Sequence, residues 1–336
     1  MTPLELEHFK DLLGDRADSI TSWLESGSFR NDDDVAKVYS LLTQIKEAIG
    51  RIENKTYGIC EECHGNIEQH LLEVQPAAKI CLECISDSEK RQLEEELHLA
   101  SKIHRALLPQ AVEKIDGFEA VVKSVAARTV GGDYYDFLPA GPSGASRVVI
   151  ADVMGKGLPA GLLMSNVQGA LRILAEDLES PQMLIARLNR WFCRNVPVTK
   201  FVSMACISLK PMESGKTELI YTNAGHCPPV LLHNDGTFEI FEPTGGVLGV
   251  HEDFVYEERT LQLTNGDLLL LYTDGITEAE NVGGEQFGDR RLNDLIYEYR
   301  SDSIEALPEL LHNEVQRFCG RRELEDDFTI IALKKI

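Results

Sequence analysis

Residues 151–161 read ADVMGKGLPAG. Glycines around a lysine suggest a loop that cradles a nucleotide phosphate. That template needs a glycine five residues before its Gly-Lys pair and a Ser or Thr after it. Ile150 and Gly157 hold those places. The run just before, RVVIADV, is rich in β-branched residues, so the segment reads as a strand that ends on an acid and then turns sharply. The question posed by the stretch is what Asp152 does.

The same arrangement recurs along the chain. GGDYYD places Asp133 at the entrance of a strand, LYTDGIT places Asp274 at the end of another, and EDDFTII places Asp326 and Asp327 just before the last. If these strand ends converge, several like charges crowd together at severe cost unless cations lie between them. Carboxylate oxygens suit Mg²⁺ or Mn²⁺, and two such ions about 4 Å apart can activate water for in-line attack on phosphate. Hydrolysis of a phosphate ester is the expected chemistry. A single TDG reads equally well as a turn and a lone GGD as a bend; four such acids at strand ends favour the metal.

From Pro109 onward the sequence alternates short β-rich runs with four helical stretches. FEAVVKSVAA, DYYDFLPA, RVVIADV, FVSMACISL, TELIYTNA, PVLLH, FVYEERTLQL, DLLLLYTD and FTIIALKKI read as strands. Residues 158–176, 182–194, 289–299 and 304–318 carry helical periodicity. Runs of strands broken by paired helices predict a layered α+β sandwich, not an alternating parallel sheet.

The amino-terminal third is different. Val38, Leu42, Ile45, Ala48 or Ile49, and Ile52 fall on one helical stripe, and Leu6, Phe9, Leu13, Ile20 and Trp23 suggest a partner helix. SGSFRNDDD between them supplies turn and capping residues, so a helical hairpin is expected. Of the eight cysteines, Cys60, Cys63, Cys81 and Cys84 form two C-x2-C pairs seventeen residues apart. That spacing fits a tetrahedral zinc site whose four thiolates leave no open position, so the ion is structural. His64 and His70 are read as surface residues, and Cys193, Cys206, Cys227 and Cys319 as small core residues. After the cysteines, Leu93, Leu97, Ala100, His104 and Leu107 form a seam that suits either pairing with another helix or packing on the chain's own domain.

Two resemblances follow from these segments. YGIC-EEC, LLEVQPAAKICLEC and the helix after them resemble the DksA/TraR family over roughly residues 1 to 90, which implies a helical hairpin leading into a four-cysteine zinc finger. In relatives the hairpin is longer and its acidic tip enters a channel of RNA polymerase; here the tip reads NDDDVA, with Asn31 where the family pattern has Asp. ASKIHRALLP, ARTVGGDYYDF, IADVMGKGLPAGLLMS, TNAGHCPP, LLYTDGITEAEN and EDDFTIIAL occur in the order found in SpoIIE/RsbU-type serine/threonine phosphatases of the metal-dependent PPM family. This resemblance spans about Ala100 to Ile336 and implies a PPM-type αββα sandwich. It also implies that Asp133, Asp152, the Val153 carbonyl, Asp274 and Asp326 hold two Mn²⁺ or Mg²⁺ ions. Asp326 is preferred to Asp327 as the first acid before Phe-Thr. Arg128 is a candidate for the substrate phosphate, since a guanidinium forks onto two oxygens. Relatives carry Gln at the position of His104, on a helix that couples a sensory module to the metal site.

The expected organisation is a hairpin (1–57), a zinc finger (58–90), a linker helix (91–109) and a phosphatase domain (110–336). The expected substrate is a phosphorylated STAS-type anti-anti-sigma factor, with the zinc-finger module as regulator and a homodimer formed through the linker helix. The competing expectation is a DksA-like regulator that binds RNA polymerase and carries a degenerate phosphatase scaffold. A formal net charge of -22 argues against direct binding to DNA or anionic membrane. No apolar run approaches a bilayer-spanning length and the start MTPLELEHFKDLL is no signal peptide, so a cytoplasmic location is expected.

Overall fold

The computed structural model describes residues 3–25, 32–84, 87–109, 115–140, 143–196, 200–321 and 324–336. The chain divides into two compact units, residues 1–96 and 97–336.

In the first unit, helices α1 (Pro3–Glu25) and α2 (Asp32–Glu53) form the expected hairpin, followed by the short α3 (Gln69–Val74). Phe9, Leu13 and Ala17 of α1 meet Leu42, Ile45 and Ala48 of α2, and this core continues into Tyr57, Ile67, Leu71 and Leu72 of the finger. Arg51 fixes the finger to α2 by donating to the carbonyls of Ala77 and Ala78, both at 2.9 Å. The Tyr57 hydroxyl donates to the Pro76 carbonyl at 2.7 Å. The hairpin tip at 26–31, with Asn31, and the side chains of Trp23, Asp34 and Ala36 lie outside the described residues.

Helix α4 (Asp87–Leu107) begins four residues before the expected linker boundary. Two residues of its seam pack within the chain: Leu93 on the first unit's core and Leu107 on a core of the second, while Leu97 and Ala100 are half-buried. His104 is buried, while Leu99 and Ile103 are exposed.

The second unit is an αββα sandwich. One sheet has the order β1 (Phe118–Val125), β10 (Phe328–Lys335), β9 (Leu268–Tyr272), β6 (Val230–Leu232), β7 (Phe238–Ile240). The other runs β2 (Tyr134–Leu138), β3 (Ser146–Val153), β4 (Val202–Pro211), β5 (Thr217–Ala224), β8 (Arg259–Leu263). Every pairing between these strands is antiparallel. Helices α5 (Leu158–Asp177) and α6 (Pro181–Asn195) cover the second sheet. The four-residue α7 (Asp274–Thr277) follows β9, and α8 (Gly288–Tyr299) and α9 (Leu307–Cys319) cover the first sheet.

Strand alternation sorts the side chains. On β3, Val149, Ala151 and Val153 face α5 and α6, whereas Val148 and Ile150 enter the core between the sheets. On β2, Tyr135 and Phe137 enter that same core. The period of two therefore puts Asp152 and Asp133 at the end of the space between the sheets. The run FVYEERTLQL is strand only from Arg259, because Tyr256 turns away to be buried with α6 residues in the core beneath that helix. Cys206 and Cys319 are core residues as expected, while Cys193 and Cys227 are only half-buried.

Candidate metal centre

Asp133 enters β2 and is buried, and the Thr273 hydroxyl at the end of β9 donates to its Oδ2 at 2.8 Å. Asp152 lies opposite Ser203 in the β3–β4 ladder. Ser203 Oγ and His226 Nδ1 share a 2.8 Å hydrogen bond, so a buried histidine braces the strand beside Asp152. His226 also locks its own turn, its amide donating to Asn223 Oδ1 at 2.8 Å. Burial pushes its imidazole down to about 4, which keeps it neutral.

Two glycines permit the close approaches. A Cβ on Gly132 would lie 2.7 Å from the Val153 carbonyl oxygen and 3.3 Å from Asp152 Oδ1, so a glycine leaves both oxygens open to one space. A Cβ on Gly275 would lie 1.9 Å from the Asp327 carbonyl oxygen. With glycine there, the turn after β9 closes onto the turn before β10, bringing Asp274 toward Asp326.

The two final acids separate in role. Asp327 is buried and accepts from the amides of Ala127 at 2.8 Å and Gly132 at 2.6 Å. It ties the loop before β2 to the start of β10. Asp326 is half-exposed, its Oδ1 accepts from the Asp327 amide at 3.0 Å, and its Oδ2 pairs with Lys156 Nζ at 2.8 Å. Lys156 also donates to the Glu325 carbonyl at 2.9 Å. Arg128 is exposed, with its Cδ 4.0 Å from the position a Cβ on Gly157 would take.

Three of these acids carry raised pKa values that their acidic neighbours help to cause. Asp152 is pushed up to about 7, first by burial and then by the charges of Asp274, Asp326 and Asp327. Asp274 is pushed up to about 6, by burial and then by Asp326 and Glu278. Burial, then Asp152 and Asp327, hold Asp133 well above the carboxylate range. A cluster in which each acid raises its neighbours calls for cations, and an all-oxygen donor set around a side-chain-free glycine fits hard divalent ions. Among the described residues, only the four cysteines bring three or more ligand atoms within 4.8 Å of one another, and the aspartate oxygens stand farther apart than that. Thr273 and Asp327 were not readable as organisers from sequence, since each has its role through a partner far away in the chain.

At the second metal position, Cys60, Cys63, Cys81 and Cys84 place their sulfurs within 4.8 Å of one another. The Cys81 amide points at Cys60 Sγ at 3.3 Å and the Gly65 amide at Cys63 Sγ at 3.4 Å. Amide hydrogen bonds, that of Cys63 first, pull Cys60 down to about 6, while the neighbouring sulfur of Cys81 first pushes Cys84 up to about 12 and Cys63 is also raised, so the crowded thiols favour one thiolate among them until a cation is bound. His64 and His70 are exposed and stand outside the cluster.

Residues 142–335 match the family described as Stage II sporulation protein E (SpoIIE). The chain belongs to the SpoIIE family. It is thus a PPM-type phosphatase, and residues 55–90 add a prokaryotic DksA/TraR C4-type zinc finger. Phosphoserine phosphatase RsbU of Bacillus subtilis is 31% identical over 248 residues, covering 73% of this chain and 72% of RsbU. The SiaA-PP2C domain of Pseudomonas aeruginosa shares the fold, with a TM-score of 0.64 at 18% identity over 74% of this chain and 99% of that one. The RsbU and RsbW domains of a Mycobacterium tuberculosis protein align with a TM-score of 0.56 at 28% identity, covering 65% of this SpoIIE-family chain and 60% of the other. No described helix is long and apolar enough to cross a membrane.

Proposed function

We propose that this chain is a metal-dependent phosphatase for phosphoserine or phosphothreonine on a STAS-type anti-anti-sigma factor. The observation that carries the reading is the shared electrostatics of Asp133, Asp152, Asp274 and Asp326 around the Gly132 opening. In this reading those four carboxylates and the Val153 carbonyl hold two Mn²⁺ or Mg²⁺ ions. The ions, when bound, supply Lewis acidity toward the phosphate.

The chain's own residues do the rest. Thr273 orients the Asp133 carboxylate, and Asp327 holds the Gly132 opening in place through its amide bonds. Lys156 fixes the side chain of Asp326. Arg128 reaches over the Gly157 end of the loop and takes two phosphate oxygens. Burial of Asp133 and Asp327 at the inner side of the cluster strengthens the charge interactions there, while Asp152, Asp274 and Asp326 keep an open side toward a substrate.

The substrate class is supported by the likeness to RsbU, a phosphoserine phosphatase, and by a relative that joins an RsbU domain to an RsbW domain. The same reading makes residues 1–57, 58–90 and 91–109 a hairpin, a zinc finger and a linker that regulate the phosphatase at 110–336, with zinc structural. A homodimer through α4 would use the exposed Leu99 and Ile103. Hydrolysis of p-nitrophenyl phosphate with and without Mn²⁺ tests the chemistry: turnover that needs the metal and vanishes in Asp152→Ala supports it, and metal-independent turnover overturns it. The phosphoprotein that accumulates in cells carrying Asp152→Ala names the substrate.

A further inference from the structure

The loop after Asp152 is bordered by groups that chemistry at phosphorus does not require. The Met154 amide donates to the Phe201 carbonyl at 3.1 Å, which sets these two residues side by side. Both keep large apolar side chains in solvent, 41% and 37% exposed. The bridge between Val202 and Leu248 brings a second segment alongside, and Gly249 packs so closely that a Cβ there would lie 2.9 Å from the Lys200 carbonyl oxygen. Val250, 55% exposed, continues the apolar border.

Cations flank the same loop. Lys200 Nζ lies 3.6 Å from where a Cβ on Gly155 would be, and Arg128 holds the Gly157 end. Neither has an ion-pair partner among the described residues, whereas Lys156 between them is turned to Asp326. The result is a strip of backbone without side chains at 155 and 157, apolar along one border and cationic at both ends. In a chain of net charge -22, such a strip is where a partner bearing phosphate meets attraction in place of repulsion.

We propose that Met154, Phe201, Val250 and Lys200 form the docking surface for the phosphorylated segment of the protein substrate. The segment lies extended across Gly155–Gly157, an apolar residue next to its phosphoserine rests on Met154 and Phe201, and Lys200 meets the segment's oxygen atoms. The proposal rests on the phosphatase reading above and specifies what that site selects. A small phosphate ester fills only the metal centre and gains nothing from this surface.

The test compares three substrates: p-nitrophenyl phosphate, a phosphoserine peptide with Leu beside the phosphoserine, and the same peptide with Glu there. The wild-type chain should favour the Leu peptide over the Glu peptide about tenfold in kcat/KM, the discrimination one buried apolar side chain gives. Lys200→Glu and Met154→Ser should each lower kcat/KM for the Leu peptide about tenfold relative to p-nitrophenyl phosphate, mostly through KM. The ratio of the two substrates cancels any general loss of folded enzyme. Equal use of both peptides, or an unchanged ratio in both variants, would overturn the docking surface while leaving the phosphatase reading intact. Failure to hydrolyse any of the three would remove both. Concentration-dependent dimerisation that Phe201→Ser abolishes would assign the face to a second copy of this chain and also overturn the proposal.

Discussion

Thr273 Oγ1 donates to Asp133 Oδ2 at 2.8 Å, joining the end of β9 in one sheet to the start of β2 in the other. The same oxygen accepts from the Thr329 amide at 3.1 Å, so the hydroxyl is held from a third strand as it holds the carboxylate. Thr273→Val keeps the shape and removes the donor. A hydrogen bond to a charged group contributes about 1.5–3 kcal/mol, so kcat/KM for p-nitrophenyl phosphate with Mn²⁺ should fall about 10- to 100-fold. Thr273→Ser should retain most of the activity.

Gly275 tests the closure of the site mechanically. A methyl group there would overlap the Asp327 carbonyl, which is backbone and cannot swing aside. Gly275→Ala should destabilise the second unit by about 3 kcal/mol or more, read as a lower midpoint in urea. An unchanged midpoint would mean that the two turns are farther apart in solution.

The pH dependence of protein prepared without added Mn²⁺ or Mg²⁺ follows from Asp152. Its folded pKa of about 7 stands above the model-compound value of 3.8, so the folded state binds the proton more tightly. The contribution to stability is fully present below pH 4 and is lost as pH rises through 7. Asp152→Asn has no such group. The variant should therefore melt at a higher temperature than the wild type at pH 8 without added metal, with the gap closing toward pH 4. With Mn²⁺ present at pH 8 the order should reverse, because only the wild type gains binding energy from the ion.

The zinc site predicts one ion per chain by native mass spectrometry. Cys81→Ser should lose it, and the loss should reach the helices, since Arg51 of α2 is bonded to the loop at Ala77 and Ala78. Limited proteolysis should then cut between 55 and 84, and the zinc-loaded protein should resist cleavage there. A variant that stays zinc-free and resistant to protease would show that the finger is held by Tyr57 and its core alone.

Much of the fold was legible because its strands carry their own signal. VVIA and LLLL are buried on both faces, and their β-branched or aliphatic runs announce it. The stretch 254–258 misled for the same reason: its aromatic residues serve packing, and Phe254 and Tyr256 rest against Gly246 and Gly245. β7 and α7, three and four residues long, are too short for any periodicity to show. At the site, the aspartates stood out by position beside strand ends, but the parts of Thr273 and Asp327 did not. Each depends on a contact across 140 to 200 residues, which local sequence does not encode. The linker seam was read correctly as apolar, yet periodicity alone does not say whether the helix meets another molecule or its own core.

Asp327 receives the amides of Ala127 and Gly132 from 200 and 195 residues earlier in the chain, and β10 pairs between β1 and β9. A ribosome delivers these parts in sequence order, and the loop before β2 must wait for the final strand before it can set. Until residues 326–335 have emerged, the first sheet lacks the strand that joins β1 to β9 and the carboxylates lack their last member. The geometry around the carboxylates is therefore the last part of the second unit to be set, because it waits for Asp327 to anchor the loop before β2 and for β10 to join β1 to β9.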